Sequence, residues 1–365
     1  MKIPQLLILC LLILSLNLQA QNYQLNDFFN EQNIVLECKV DSIFNTLSER
    51  EKVAQMIITS MGDLGKSDRT VEQLVSQKKV GGVIFLKGEK ADQKRRVQTL
   101  NNITRRQNGV PLLFSMDAEP SLINGRLKGS KKIGPTVNIK SLVQSDIITN
   151  LINTELKEVG VLHNYAPVLD VSTSNAAIKK RSYGSNKDSV VLLANRFIQK
   201  SQEDGIIATA KHFPGHGLVK GDTHKKSVFI DGEMLEVDNY KPLIKDGVLS
   251  IMVAHIVVKN NRAYDTNGMP STLSENIVTG LLREKLNFKG IIITDALNIM
   301  KAVTIHDNAP LLASKAGCDI LLMPISEERT INSILEEMAR NPFYEAQVHT
   351  SIRRILRLKI CAGLM

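Results

Sequence analysis

The sequence predicts an α/β protein built from alternating strands and helices, and three observations carry that expectation. Eight short apolar runs recur along the chain, at 56–61, 82–86, 111–116, 162–169, 206–210, 250–258, 290–294 and 319–323. Between them lie segments with helical periodicity, and strands that alternate with helices imply a parallel sheet. The third observation is chemical. Polar residues stand just after the strand candidates: Asp117 and Glu119, Asp170, Lys211 and His212, His255, and Asp295. In a (β/α)8 barrel the strand C-terminal ends converge on one face, where catalytic groups sit. Core packing alone does not call for charges at equivalent ends of different strands. Eight units suggest closure into such a barrel as a single catalytic domain, with an open sheet as the alternative that counting leaves.

Composition sets the frame. The chain has 365 residues, 43% hydrophobic and 23% charged, enough for a substantial core. Residues 1–20 read as a secretory signal: Lys2 supplies the positive end, 6–14 is an unbroken apolar run, and Ala20 is a small residue before Gln21. The run is shorter than the roughly 20 residues a spanning helix needs. The expectation is therefore an exported protein, periplasmic or secreted, with residues 21–365 as one barrel domain and no membrane insertion of the mature chain. Cys38, Cys318 and Cys361 then remain, widely spaced and without metal-ligand spacing, which reads as buried structural thiols.

Taken in order, 22–40 is polar and yields no assignment. Residues 47–55 read as a helix with Ser48 and Glu51 in a capping-box pattern. The later helix candidates are 71–79, 91–107, 139–159, 189–204, 235–247, 274–286, 309–316 and 327–340. In 274–286, Ile277, Leu281 and Leu282 recur at helical spacing after Ser274, a candidate cap. The formal charge of +9 is dispersed over the chain, and with no Trp and 4% aromatics the basic-plus-aromatic pattern of single-strand nucleic-acid binders is missing. No nucleic-acid partner is expected. A solvated basic surface is preferred to attraction toward an acidic polymer such as a cell wall.

The densest chemistry lies in Lys211-His212-Phe213-Pro214-Gly215-His216-Gly217, followed by Gly221-Asp222-Thr223-His224. Three of the seven histidines fall here. Asp222 stands two residues before His224, so in an extended loop the carboxylate would orient the imidazole and favour its protonated form. That makes His224 a candidate general acid/base, against the reading of an exposed loop histidine. A metal site from His212, His216, Asp222 and His224 is a further alternative, but the spacing matches no standard ligand motif. Asp295, after Ile291-Ile292-Ile293-Thr294, is either a strand-end cap or a carboxylate nucleophile at a barrel mouth. Lys211 at a strand end calls for a carboxylate or substrate oxygen as partner. Asp117 could accept hydrogen bonds from hydroxyls or pair with Arg126, and Arg181 alone would read as a surface residue.

These residues resemble glycoside hydrolase family 3, in its β-N-acetylglucosaminidase (β-hexosaminidase) branch. The resemblance rests on the 211–224 window together with Tyr165-Ala166-Pro167-Val168-Leu169-Asp170-Val171, Arg181-Ser182-Tyr183-Gly184, Met252-Val253-Ala254-His255-Ile256, Ser271-Thr272-Leu273-Ser274 and Ile293-Thr294-Asp295-Ala296-Leu297, in the expected order. It implies a (β/α)8 barrel and no cofactor or metal. It also implies Asp295 as nucleophile, Asp222 and His224 as the acid/base dyad, and Asp117, Arg126, Arg181, Lys211 and His212 as sugar-holding residues. The activity implied is a retaining exo-β-N-acetylglucosaminidase releasing terminal β-linked N-acetylhexosamine from cell-wall fragments such as muropeptides or from other GlcNAc-terminated glycans. A family 3 β-glycosidase or phosphorylase of other sugar specificity is one alternative, since a neutral imidazole base would not repel phosphate. A non-catalytic glycan-binding barrel and a metal-dependent hydrolase are the others. Two departures stand out. Asp117-Ala118-Glu119-Pro120-Ser121-Leu122 replaces the family's Glu-Gly-Gly after the aspartate, and the methionine near the nucleophile, Met300, stands one residue late.

Overall fold

The computed structural model describes residues 23–172, 175, 177–219 and 228–365. Each of the eight strand candidates overlaps a strand, here numbered β1 (Ile57–Met61), β2 (Gly82–Phe85), β3 (Leu113–Met116), β4 (His163–Asn164), β5 (Ile207–Phe213), β6 (Ser250–Val253), β7 (Ile291–Thr294) and β8 (Leu321–Leu322). Each pairs in parallel with its sequence neighbour, and β1 pairs with β8. A parallel bridge between Ile293 and Ile320 joins β7 to the approach of β8 and closes the ring. The result is the eight-stranded barrel that the alternation predicts. Its strands are buried on both faces, which is why they read as continuous apolar runs rather than alternating ones.

Capping chemistry starts the helices where the sequence places it. Ser48 and Glu51 form the reciprocal capping box of the Glu49–Ala54 helix. Ser67, Ser141, Asn186 and Ser326 each accept a backbone N–H at the starts of Asp68–Ser76, Leu142–Val159, Lys187–Glu203 and Glu327–Arg340. Ser274 does not cap its helix: Asn276–Lys285 is wound as a π-helix behind Glu275, with no side-chain cap bond.

Two segments differ from expectation more substantially. The polar N-terminal stretch contains a short 3₁₀ turn, Leu25–Phe29, and a helix, Ile34–Thr46. The chain ends in a 20-residue helix, Pro342–Cys361, that the helical periodicity does not announce. The two hold each other. Arg357 donates to the carbonyls of Phe28 (2.6 Å), Asp27 (3.0 Å) and Asn30 (2.7 Å) and pairs with Glu37. Cys318 and Cys361 are buried free thiols as expected, whereas Cys38, read as a third buried thiol, is only partly buried and is not a free thiol.

Two buried charges fasten the barrel. Lys359, fully enclosed, donates to Gln55 Oε1 (2.7 Å), Gly81 O (2.8 Å) and Pro111 O (2.8 Å), tying together the N-terminal approaches of β1, β2 and β3. Asp319 sits at the β7/β8 seam. It accepts from Ile292 N (2.8 Å), Arg283 (2.8 Å) and Ser351 (2.8 Å), and it pairs with Arg354. Burial would raise its carboxyl, but Arg354 and Arg283 hold it below the usual range. Among the described residues no helix is long and apolar enough to cross a membrane.

Candidate active site

The strand ends bring the predicted polar residues to one mouth, as a barrel requires. A cavity of about 480 Å³ opens there, lined by Asp117, Arg126, Arg181, Lys211, His212, His216 and Asp295 and walled by aliphatic side chains. Six of the eight predicted site residues therefore share one pocket. The other two, Asp222 and His224, lie outside the described residues, as do residues 1–20, read from sequence as a secretory signal.

The 211–217 window is less loop-like than its glycines suggest. The fifth strand runs on through Lys211-His212-Phe213, so both polar side chains stand on rigid sheet rather than on a turn. Lys211 is only 1% exposed and finds the carboxylates its position demands: Asp117 Oδ1 at 2.8 Å and Glu119 Oε1 at 2.6 Å. Glu119 is the centre of this network, a role the sequence reading did not assign to it. It also takes both arms of Arg181, Nε to Oε2 at 2.8 Å and Nη2 to Oε1 at 2.7 Å. Burial pushes the Glu119 carboxyl up, but Arg181 and Lys211 pull it well below the carboxylate range. Arg126 lies 3.6 Å from Asp117 Oδ2 and donates to Leu86 O at 3.1 Å.

Arg126 lines the pocket despite the Pro120 departure. Ser121 secures the loop by donating to Lys180 O (2.7 Å) and accepting from Thr136 N (2.9 Å). Met300, displaced by one position, still lines the cavity.

His212 is oriented by Asp170. Its Nδ1 is 2.7 Å from Asp170 Oδ2, while Asp170 Oδ1 accepts the backbone N–H of His216 at 2.7 Å. This fixes the imidazole with Nδ1 committed to the carboxylate. His255, at the end of β6, is buried, with Nδ1 2.8 Å from Thr272 Oγ1 and Nε2 3.1 Å from Ala296 O.

Asp295 terminates β7. Its backbone N–H donates to Val253 O (3.0 Å), and its Oδ1 accepts from Ala296 N (2.7 Å). Burial would favour the neutral acid, but His212, His255, the Ala296 N–H and Lys211 together hold its carboxyl below the ordinary aspartate value. The pocket therefore presents an ionised carboxylate, partly buried, in a cavity that also holds Lys211, Arg126, Arg181 and a second carboxylate, Asp117.

Among the described residues, the one cluster of three potential metal ligands is Glu49, Glu345 and His349, on helices outside the barrel. Two of the residues in the four-member metal alternative, Asp222 and His224, lie outside the described residues.

With this geometry in hand, comparison with known proteins decides the family. Residues 48–358 match the model of the glycosyl hydrolase family 3 N-terminal domain. The chain belongs to glycosyl hydrolase family 3. This family 3 chain is similar to a beta-hexosaminidase of Actinobacillus pleuropneumoniae serotype 5b, 29% identical over 304 residues, covering 79% of this chain and 86% of that protein. It is also similar to beta-hexosaminidase A of Pseudoalteromonas piscicida, 26% identical over 328 residues, where the match covers 79% of this chain but only 54% of that protein. Among solved structures it resembles a family 3 β-N-acetylglucosaminidase from Paenibacillus sp. str. FPU-7, with a TM-score of 0.79 and 28% identity over 87% of this chain and 63% of that one. The chain thus spans little more than half the length of some relatives and most of the length of others.

Proposed function

We propose that the chain is a retaining exo-β-N-acetylglucosaminidase that removes terminal β-linked N-acetylhexosamine from glycans, with Asp295 as nucleophile and Asp222/His224 as acid/base pair. The observation that carries this reading is Asp295: a carboxylate held in its ionised form at the floor of a pocket of sugar-binding size. Two relatives named beta-hexosaminidase and one solved neighbour named β-N-acetylglucosaminidase support the sugar class.

In the proposed reaction the Asp295 carboxylate attacks the anomeric carbon as His224 protonates the departing glycosidic oxygen. A glycosyl ester forms. His224 then takes a proton from water, which attacks the same carbon and releases the sugar with retained configuration. Lys211, Arg126 and Arg181 supply donors to sugar oxygens, Asp117 an acceptor, and His212 its remaining ring nitrogen. Export, and cell-wall fragments as the source of substrate, belong to the same proposal and rest on the 1–20 leader.

The test is a panel of aryl β-glycosides, with and without phosphate. The expected result is turnover of the N-acetylglucosaminide, no sugar phosphate, and loss of turnover in Asp295→Ala. Wild-type activity in that variant, or binding of N-acetylglucosamine without turnover of any glycoside, overturns the reading.

A further inference from the structure

A buried carboxylate outside the sugar pocket accounts for the glycines of the 211–217 window. Glu236 is 5% exposed and stands at the start of a 3₁₀ turn, Val237–Asn239. Its Oε1 accepts the backbone N–H of Val171 at 2.6 Å, and its Oε2 accepts those of Gly217 at 2.9 Å and Leu218 at 3.2 Å. One side chain thereby joins the segment after β4, which carries Asp170, to the segment after β5, which carries His216. The approach is close enough to exclude side chains. A Cβ on Gly217 would lie 2.6 Å from Val171 N and 2.8 Å from Glu236 Oε1, and one on Gly215, at φ +131°, would lie 2.5 Å from Glu236 Cβ.

A second clamp acts beside it. Asn175 Nδ2 donates to His216 O at 2.8 Å and to Val219 O at 2.7 Å. Downstream, Val228–Asp231 pairs in parallel with Ile256–Lys259. The described chain is therefore pinned just before and just after the stretch whose sequence contains Asp222 and His224.

The geometry points to Glu236 as a positioning residue: by holding Val171, Gly217 and Leu218, it fixes the described chain immediately before the stretch that contains Asp222 and His224. This rests on the assignment of His224 as general acid proposed above. Glu236 has no contact with the sugar cavity in this arrangement and is not among its lining residues. Burial and the neighbouring Asp170 push its carboxyl up to about 7, while the three N–H donors favour the anion. The anionic form alone offers an acceptor to every donor. A glutamine keeps the size but turns an NH₂ group toward one set of N–H donors, which must then separate from it.

The consequence is specific to proton delivery. A misplacement of about 1 Å in a catalytic group costs on the order of 100-fold in rate. A dinitrophenyl leaving group departs as an anion without an acid, whereas a phenol requires one. Comparing kcat/KM for phenyl and dinitrophenyl β-N-acetylglucosaminides in wild type and Glu236→Gln tests the assignment. The expected result is a fall of about 100-fold on the phenyl substrate, with the dinitrophenyl value held within a few-fold. An equal fall on both substrates overturns it, since general loosening of the fold does not distinguish leaving groups, and so does no fall on either.

Should Glu236→Gln fail to fold, Gly217→Ala probes the same contact from the opposite side, and the same leaving-group signature is expected. If wild type turns over neither glycoside, the proposed activity fails. If wild type turns over both and the variants lose both equally, only the positioning role of Glu236 fails.

Discussion

Replacing Glu119 with glutamine tests whether the pocket at the barrel mouth is held by one buried carboxylate. Glu119 receives three charge-assisted hydrogen bonds, two from Arg181 and one from Lys211, at 2.6–2.8 Å. In the substituted protein, Asp117 alone faces Arg126, Arg181 and Lys211, of which Lys211 is 1% exposed. Removing one partner of a buried pair costs about 3–5 kcal/mol, because the remaining charge is left uncompensated. With an unfolding entropy of about 2.1 cal/mol/K per residue, 365 residues give about 0.77 kcal/mol/K, so Tm should fall by about 4–7 °C.

The pH dependence has a defined sign. The folded carboxyl is held below its unfolded value of 4.5, so its contribution is complete above pH 4.5 and is lost as pH falls through the folded value. Calorimetry at pH 7 and pH 3 should show the wild-type advantage shrinking in acid. Because Arg181 also loses its fork partner, KM for the aryl glycoside should rise about 10-fold or more, the effect of about 1.4 kcal/mol or more in lost orientation. A Glu119→Gln protein with wild-type Tm and wild-type KM would show that Glu119 does not hold the pocket.

Other outcomes follow from the same contacts. His212 is the largest favourable influence on the Asp295 carboxylate, so His212→Gln should move the acid limb of the kcat/KM profile to higher pH, whatever its effect on rate; an unmoved limb contradicts the stated origin of that ionisation. Burial pushes Lys359 down to about 7 from 10.5, so the unfolded chain binds more protons between those values and stability should rise with pH there; denaturant titrations of Lys359→Met should lose that rise. Asp319→Asn leaves Arg283 and Arg354 facing a neutral group at the barrel seam and should cost about 3–5 kcal/mol, read from denaturant midpoints. Ile355→Ala, fully buried in the C-terminal helix, should cost about 2–5 kcal/mol by the same measurement.

The barrel was legible because parallel strands buried on both faces leave unbroken apolar runs, and because Ser48 and Glu51 mark a helix start by local chemistry alone. The C-terminal helix was not. Arg357 and Lys359 are buried in it, and each breaks the apolar stripe for the sake of partners elsewhere, the N-terminal carbonyls and the barrel floor. The polar N-terminal segment is the matching half, since its order is supplied by that same Arg357.

At the site, Lys211 was readable as a lysine in need of a carboxylate, and Asp117 answers it. Glu119 and Glu236 were missed as organisers because their partners are remote, Arg181 by 62 positions and Val171 by 65. The signals that could have found them were the strand-end charge at 119 and the paired glycines at 215 and 217, which ask what approaches them so closely. His216, with no chemistry assigned from sequence, lines the cavity and gives its N–H to Asp170.

The proposed reaction turns on Asp295, whose glycosyl ester can be trapped. The protein is incubated with a fluorinated, activated N-acetylglucosaminide that forms the glycosyl ester quickly and hydrolyses it slowly, then digested and mapped by mass spectrometry. The account predicts a gain of one fluorinated N-acetylglucosaminyl group on the peptide that contains Asp295. A label on a different side chain, or turnover stopped by the reagent with no label on the chain, would contradict it.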